Sequence, residues 1–300
     1  MISPRRSFKD IFNDETNSIK YLIDRDIIRQ PTSCLKCCGI SFSLHRKNWR
    51  CCVKSCRKEV SIFDSTFFEN MKLKVNDFME LAYYWLVGVK TLNLITITGH
   101  SSQTITNYCH SLRKMVSDSL GFEDIVIGGE NIVVEIDESK FGKIKHNRGH
   151  SVNGAWVLGG VERTTERKMF LLEVPDRAAE TLIRKIKTYV KPGSIIITDC
   201  FKSYATLHNF YTHLTVNHSI EYVDSVSGAH TNTIEGTWGA IKYRISPRNR
   251  TASVSEDGNI SMDGINEFLG EFQWRRKNHS DLWNGFMDSL KNYLQYDNFE

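Results

Sequence analysis

Several features that define other classes of protein are scarce or missing in this sequence of 300 residues. No stretch approaches the roughly 20 consecutive apolar residues that a membrane-spanning helix needs, and the segment MISPRRSFKD has no apolar run like that of a secretory signal. Net charge is only +4, so the charge total by itself does not indicate a nucleic-acid partner. We therefore expect an intracellular protein, nuclear if its host cell has a nucleus and cytoplasmic otherwise.

The sequence does contain enough apolar material for folded cores. Hydrophobic residues make up 40% of the chain and aromatic residues 11%, and the length favours two or three compact units. Helical apolar spacing runs through residues 75–89, 92–98 and 101–119, whereas residues 131–217 alternate between strand-like and helix-like patterns. These patterns predict an α/β (α+β) chain whose largest domain contains a mixed sheet.

Five consecutive segments are predicted from these changes of pattern. They are a helical lead-in at 1–30, a metal module at 31–70, a helix-turn-helix domain at 71–125, the mixed-sheet domain at 130–250, and a linker with C-terminal helices at 251–300. Within the mixed-sheet domain we predict strands at 131–137, 154–161, 168–174, 194–199 and 214–217, with a helix at 177–190.

Cysteine is concentrated in one place, since six of the eight cysteines lie between Cys34 and Cys56. In a reducing compartment such a cluster more often binds metal than forms disulfides. Two knuckles separated by 13 residues, C-x2-C and C-x4-C, have the spacing of a four-thiolate zinc site. Cys38 and Cys52 directly follow predicted ligands, and adjacent side chains do not easily point at one ion. The predicted zinc ligands are therefore Cys34, Cys37, Cys51 and Cys56.

The alternative for these cysteines is a set of buried thiols without metal. Basic residues flank the knuckles and suit contacts to phosphate, and simple solvation of a small module is the alternative. Cys109 and Cys200 stand apart, and we expect both to be ordinary packed thiols.

The predicted helix-turn-helix centres on Gly99, which separates two helical patterns. The expected N-terminal cap of the helix at 75–89 is Asn76 or Asp77. The expected N-terminal cap of the helix after Gly99 is Ser101 or Ser102. If this last helix enters the major groove, Gln103 and Asn107 near its start are placed to read adenine, and Arg113 to contact phosphate. A pair of packed helices without DNA-binding function is the alternative.

Two apolar strand patterns end in an acid. Residues 132–136 lead to Asp137, and residues 194–198 lead to Asp199. A carboxylate at the end of a buried strand is costly to desolvate without a cation, so a metal ion is a natural partner for both. The alternative is that each aspartate caps the turn that follows it.

A third acid lies on a helical pattern that begins near Thr233. On it Asn232, Glu235 and Lys242 are separated by three and seven residues, spacings that favour one side of a helix. Two divalent ions held by Asp137, Asp199 and Glu235 fit phosphodiester chemistry, with water as the first nucleophile and a freed 3′-hydroxyl as the second. In this interpretation Asn232 and Lys242 contact DNA, and Lys242 is not a base.

Six motifs occur in order: CLKC, WRCCVKSCRKEVSIFDSTFFENMKL, VVEIDESKFGK, VNGAWVLGGVER, IIITDCFKSY and HTNTIEGTWGAIK. Over roughly residues 10–290 the sequence thereby resembles the transposases of the Merlin superfamily and their bacterial insertion-sequence relatives. Thirty-five residues lie between Asp199 and Glu235, a separation known from acidic-triad transposases. Some relatives have Asn as the third residue, and Asn232 matches that position. We predict Glu235, because a carboxylate holds a divalent ion better than an amide does.

The resemblance implies a zinc ribbon, a helix-turn-helix and a ribonuclease-H-like catalytic domain. It also implies two Mg²⁺ or Mn²⁺ ions, one structural Zn²⁺ ion, and a homodimer or higher oligomer on the double-stranded DNA of terminal inverted repeats and target. The sequence departs from its relatives at Cys38, where they commonly have Gly, and at Cys52 beside Cys51. Two other functions fit the residues: a ribonuclease-H-like nuclease acting on RNA–DNA hybrids or junctions, and a domesticated DNA-binding regulator.

Overall fold

The computed structural model describes residues 2–142, 154–217, 230–253 and 264–293. The chain forms two compact units, the first from Met1–Met115 with Asn278–Glu300 and the second from Val116–Lys277. None of the helices in these described ranges has both the length and the apolar content to cross a membrane. The finer division into five segments stays a prediction.

The α-helices of the described residues are α1 (Lys9–Asn13), α2 (Glu15–Asp24), α3 (Val75–Leu86), α4 (Thr91–Thr98), α5 (Ser102–Asp118), α6 (Phe122–Ile125), α7 (Ala179–Tyr189), α8 (Asn232–Arg244), α9 (Ile265–Lys277) and α10 (Leu282–Asn292). The strands are β1 (Phe42–His45), β2 (Asn48–Cys51), β3 (Glu59–Ser61), β4 (Ile127–Gly128), β5 (Val133–Lys140), β6 (Trp156–Glu162), β7 (Met169–Val174), β8 (Val190–Lys191), β9 (Ile195–Asp199) and β10 (Thr212–Val216).

In the first unit, α3 is the central helix and packs against α1, α2 and α10. Its predicted apolar face is buried, including Phe78 and Leu81. The predicted cap at Asn76 or Asp77 is wrong, because α3 already begins at Val75 and its N-cap residue has no side-chain hydrogen bond to the helix. A carboxylate from a distant part of the sequence caps the helix instead, because the Val75 N–H donates to Glu15 Oε1 of α2 at 3.2 Å.

The metal module is a three-stranded antiparallel sheet in the order β1-β2-β3. Trp49 and Ile62 are its buried apolar side chains beside the cysteines. So few buried residues make a small core, and a bound metal is therefore expected to supply much of the folding free energy.

The second unit is built on a five-stranded mixed sheet in the order β10-β9-β5-β6-β7. β5, β6 and β7 are antiparallel neighbours, whereas β9 and β10 run parallel to β5 on its other side. One face buries Leu182 and Ile186 of α7, and the other buries Trp238 of α8 and Leu269 of α9. The predicted mixed α/β domain is confirmed, with a sheet between two helical layers.

One feature of this unit differs from the sequence prediction. β4 and β8 form a separate two-stranded parallel sheet that was not predicted, because two residues are too few for a recognisable pattern. Within the predicted segment of linker and C-terminal helices at 251–300, residues 254–263 and 294–300 lie outside the described residues, and the helices described there are α9 and α10.

Candidate active site

Four cysteine side chains of the metal module meet at one point. Their Sγ atoms lie within 4.8 Å of one another, and the Cys34–Cys56 and Cys37–Cys51 pairs are each separated by 3.6 Å. Zn–S bonds of about 2.3 Å in a tetrahedron place sulfurs about 3.8 Å apart. The four thiols therefore fit one zinc ion, and they are the four that the spacing predicted.

The backbone around the knuckles also suits thiolate ligands. The N–H groups of Lys36 and Cys37 lower the pKa of the Cys34 thiol to about 7, which favours the metal-binding form. At Cys37, Cys51 and Cys56 the backbone N–H groups lower the pKa, but burial and the neighbouring thiols outweigh them and raise it. Cys38 has a φ of 57°, in the left-handed region where glycine is favoured. The Cys38 side chain is exposed and is not part of the cluster.

The two remaining cysteines differ from each other. Cys109 is buried, as predicted, but Cys200 is exposed, so the prediction of a packed thiol there is wrong. The reason is that β9 ends at Asp199 and Cys200 lies in the loop that follows.

Asp137 and Asp199 occupy equivalent positions on two neighbouring parallel strands. Glu135 of β5 pairs with Ile197 of β9, so two residues further along each strand Asp137 comes level with Asp199 on the same face. Asp199 is the last residue of β9, as predicted. Its Oδ1 also accepts the N–H of Phe201 at 2.9 Å, which is the turn-capping contact of the alternative interpretation.

The prediction that Asp137 ends a strand is wrong. β5 continues to Lys140, because β6 pairs with it as far as that residue. Asp137 therefore lies within the paired part of β5. Its Oδ2 accepts the indole N–H of Trp238 at 2.9 Å. Gly159 pairs with Asp137 from β6, and a Cβ at Gly159 would lie 2.6 Å from the Trp238 ring. Glycine is therefore required for the tryptophan to reach the aspartate.

The electrostatics of this pair favour a cation. Burial raises the pKa of the Asp137 carboxyl to about 6, the Trp238 hydrogen bond opposes that rise, and the nearby Glu138 and Asp199 carboxylates add to it. Negative charge at this point is therefore unfavourable in the metal-free chain. Two carboxylates in this arrangement fit a divalent ion, which would relieve their repulsion.

Glu135 is a functional candidate that the sequence analysis did not identify. Its side chain is fully buried at 0% exposure, yet it accepts the backbone N–H groups of Thr233 and Ile234 at 2.8 and 3.0 Å. Arg163 donates to the same carboxylate at 2.6 Å, and His230 Nδ1 lies 3.3 Å from it. A buried anion thus caps the N-terminus of α8. No local pattern indicates this, because the partners are about a hundred residues apart.

Alternate residues of β5 contact successive turns of α8. After the Glu135 contact at the helix N-terminus come the Asp137–Trp238 bond and a bond from Lys242 Nζ to Ser139 Oγ at 2.8 Å. Two strand residues advance about 6.6 Å and four helical residues about 6.0 Å. Helix and strand therefore run in the same direction in near register, and we name this set of contacts the β5–α8 ladder.

The third acid, Glu235, is on α8, but its carboxylate is not grouped with those of Asp137 and Asp199. Glu235 is exposed, and its Oε1 accepts the hydroxyl of Thr231 at 2.9 Å. Asn232 is exposed at the start of α8, whereas Lys242 is half-buried against β5. Within the ranges that the structure describes, the only grouped metal ligands are the four cysteines, so the three acids form no preassembled cluster.

The opposite face of β5 carries a second ionic cluster. Glu138 is buried and accepts the Arg177 Nε–H at 2.8 Å and the hydroxyl of Tyr204. The Arg177 guanidinium lies over the Phe201 ring, 4.1 Å from its centroid. Because Phe201 also donates to Asp199, this cluster supports the loop that follows β9.

The candidate recognition helix α5 has its predicted cap and inner face. Ser101 Oγ accepts the Thr104 N–H at 3.1 Å, and Ile105 and Leu112 are fully buried. Gln103 and Asn107 are exposed near the helix start and bonded to each other at 2.7 Å. Arg113, further along, is half-buried. A role of these three residues in DNA binding remains a prediction.

Comparison with known proteins agrees with these features. Residues 124–277, about half of the chain, match the model of the ISXO2-like transposase domain. An "Uncharacterized transposase-like protein" from Haemophilus influenzae is 29% identical over 112 residues, which cover 37% of this chain and 82% of that protein. The matched domain contains the mixed sheet, α7, α8 and α9. The chain belongs to the ISXO2-like transposase domain family, a family of insertion-sequence-type transposases.

Proposed function

We propose that this chain is a DNA transposase that nicks DNA at transposon ends and joins the freed 3′-hydroxyl to target DNA. The observation that carries the proposal is the placement of Asp137 level with Asp199 on parallel strands, beside the helix that bears Glu235. These acids lie inside the region that matches a transposase domain.

The topology of the sheet supports a ribonuclease-H-like assignment. In chain order, β5, β6 and β7 form an antiparallel meander. β9 then pairs in parallel with β5, and β10 pairs in parallel with β9. The two aspartates lie on the first and fourth of these strands. We also propose that the chain belongs with the transposases of the Merlin superfamily and their bacterial insertion-sequence relatives, on the order of the six motifs.

In the proposed mechanism Asp137, Asp199 and Glu235 hold two Mg²⁺ or Mn²⁺ ions. When bound, such ions activate the attacking oxygen and stabilise the leaving oxygen. Trp238 orients the Asp137 carboxylate, and Glu135 fixes the start of α8. Glu235 joins the site after its carboxylate leaves the Thr231 hydroxyl. Lys242, anchored on Ser139, contacts a phosphate.

The first unit supplies DNA recognition in this proposal. The zinc ribbon presents a basic surface to phosphates, and α4 and α5 form the helix-turn-helix. Gln103 and Asn107 contact base edges, Arg113 contacts phosphate, and Asn232 contacts DNA beside the acids. The chain acts as a homodimer or higher oligomer, because two transposon ends must be processed together.

The function is tested by incubating the purified full chain with duplex DNA carrying the terminal repeats of its element. We expect nicks at the repeat ends in Mg²⁺ and none in EDTA. Cleavage confined to the RNA strand of an RNA–DNA hybrid would favour the nuclease. Binding to the repeats without cleavage in Mg²⁺ or Mn²⁺ would favour the domesticated regulator.

The choice of third metal ligand is tested by two exposed positions on α8. We expect Glu235→Gln to lower the nicking rate about a hundredfold, or about 3 kcal/mol, because the amide binds a divalent ion weakly. Asn232→Ala is expected to stay within about fivefold of the wild type, about 1 kcal/mol. Initial rates at saturating Mg²⁺ measure both. An inactive Asn232→Ala beside an active Glu235→Gln would assign the third position to Asn232.

A further inference from the structure

A cleft of about 680 Å³ lies beside α7, on the face of the sheet opposite α8. Arg184 and Lys187 of α7 line one wall, and Thr206, Asn209 and Phe210 of the segment before β10 line the other. Glu180 lies in the α7 wall as well, so two cations face one acid. The cleft is open to solvent, and its volume falls within the range of about 300–1,000 Å³ that is typical of small-molecule binding sites.

The chemistry of the cleft matches a nucleic-acid strand. Phe210 is 47% exposed, so part of its ring is accessible to a ligand. The Lys187 ammonium lies over one face of the Phe210 ring, 3.9 Å from its centroid, so a base would stack on the other face. An aromatic face for a base, next to a cation for the adjoining phosphate, is the combination by which proteins bind unpaired strands.

The position of the cleft connects it with the candidate acids. α7 begins two residues after Arg177, which is bonded to Glu138, the neighbour of Asp137. The lining residues of α7 then extend over roughly 14 Å at 1.5 Å per residue. Asp137 faces α8, whereas the cleft lies on the other face of the sheet. A strand would therefore pass from the acids around the end of β9 to the start of α7, and from there along α7 toward Lys187 and Phe210.

The geometry points to a binding site for an unpaired segment of DNA strand in this cleft, with a base stacked on Phe210 and its phosphates on Arg184 and Lys187. The strand is unpaired because neighbouring base pairs in a duplex cover the faces on which Phe210 would stack. This inference rests on the proposed transposase function and specifies how the cut DNA leaves the acids.

The test compares Phe210→Ala with Phe122→Ala in the full chain. Phe122 is the matched control, since it is 53% exposed in the same unit but is not among the cleft residues. We expect Phe210→Ala to weaken binding of a short labelled single strand about tenfold, and Phe122→Ala to leave it unchanged. Fluorescence anisotropy measures binding, with the blunt duplex of the same sequence as the second ligand. Lys187→Gln is expected to weaken single-strand binding and reduce its salt dependence.

Equal single-strand affinities of the Phe210→Ala and Phe122→Ala chains would overturn the inference. So would an equal loss for duplex and single strand, or displacement of the labelled strand by a mononucleotide as effectively as by the unlabelled strand. Nicking of blunt repeat-end duplex is measured with the same preparations. If the wild type nicks normally while the binding results are negative, the cleft assignment alone fails; if the wild type does not nick, the proposed function fails.

Discussion

Replacing Asp199 by asparagine is expected to lower the rate of Mg²⁺-dependent nicking about a thousandfold or more, or about 4 kcal/mol. Asparagine has the same shape and retains an oxygen that can accept the Phe201 N–H, so the turn after β9 should be preserved. The substitution removes the negative charge that lies beside Asp137 on the neighbouring strand. Nicking of repeat-end DNA measures the activity, and a gel shift in Ca²⁺ measures binding, which we expect to remain within about threefold, less than 1 kcal/mol.

Asp176→Asn is the matched control for this substitution. Asp176 Oδ1 accepts the N–H of Ala178, two residues downstream, at 2.9 Å, the same contact that Asp199 makes with Phe201. Asp176 lies before α7 and not among the acids of β5 and β9, so its variant should nick at the wild-type rate. Full activity of Asp199→Asn would show that Asp199 only caps its turn.

Replacing Cys51 by serine is expected to remove the zinc ion and unfold the ribbon. Cys51 is buried and is one of the four sulfurs of the cluster. Structural zinc contributes about 10–16 kcal/mol to small modules of this type, and few apolar side chains are present here to replace that contribution. We expect about one zinc per wild-type chain, rapid proteolysis within residues 31–70 of the variant, and loss of binding to repeat-end DNA.

Cys52→Ser provides the control within the same strand region. Cys52 is adjacent to Cys51 but its sulfur is not part of the cluster, so zinc content and protease resistance should match the wild type. The second unit has its own core, and its thermal unfolding should be unaffected in both variants. A zinc-free wild-type chain with a protease-resistant ribbon would contradict the assignment of a metal site.

Local patterns were sufficient where one segment determines its own structure. The strand ending at Asp199 and the buried faces of α3 and α5 follow from apolar spacing alone, and the cysteine spacing selects the four sulfurs that meet. Each of these depends on residues close together in the chain.

Predictions were wrong where a distant segment decides the outcome. β5 extends beyond Asp137 because β6 pairs with it, and the N-terminus of α3 is capped by Glu15 rather than by its own first residues. The same limitation hid Glu135, whose partners lie on α8. A charged residue in an otherwise apolar strand was the available signal, but sequence alone does not reveal which helix covers it.

The β5–α8 ladder has a consequence for how this sequence can change over generations. Deleting or inserting one residue of β5 before Glu135 would turn Glu135, Asp137 and Ser139 to the opposite face together, because side chains alternate along a strand. All of their contacts to α8 would then be lost in one event. A point substitution at Ser139 changes one contact of the ladder, whereas a change in the spacing of the three residues changes all of their contacts at once.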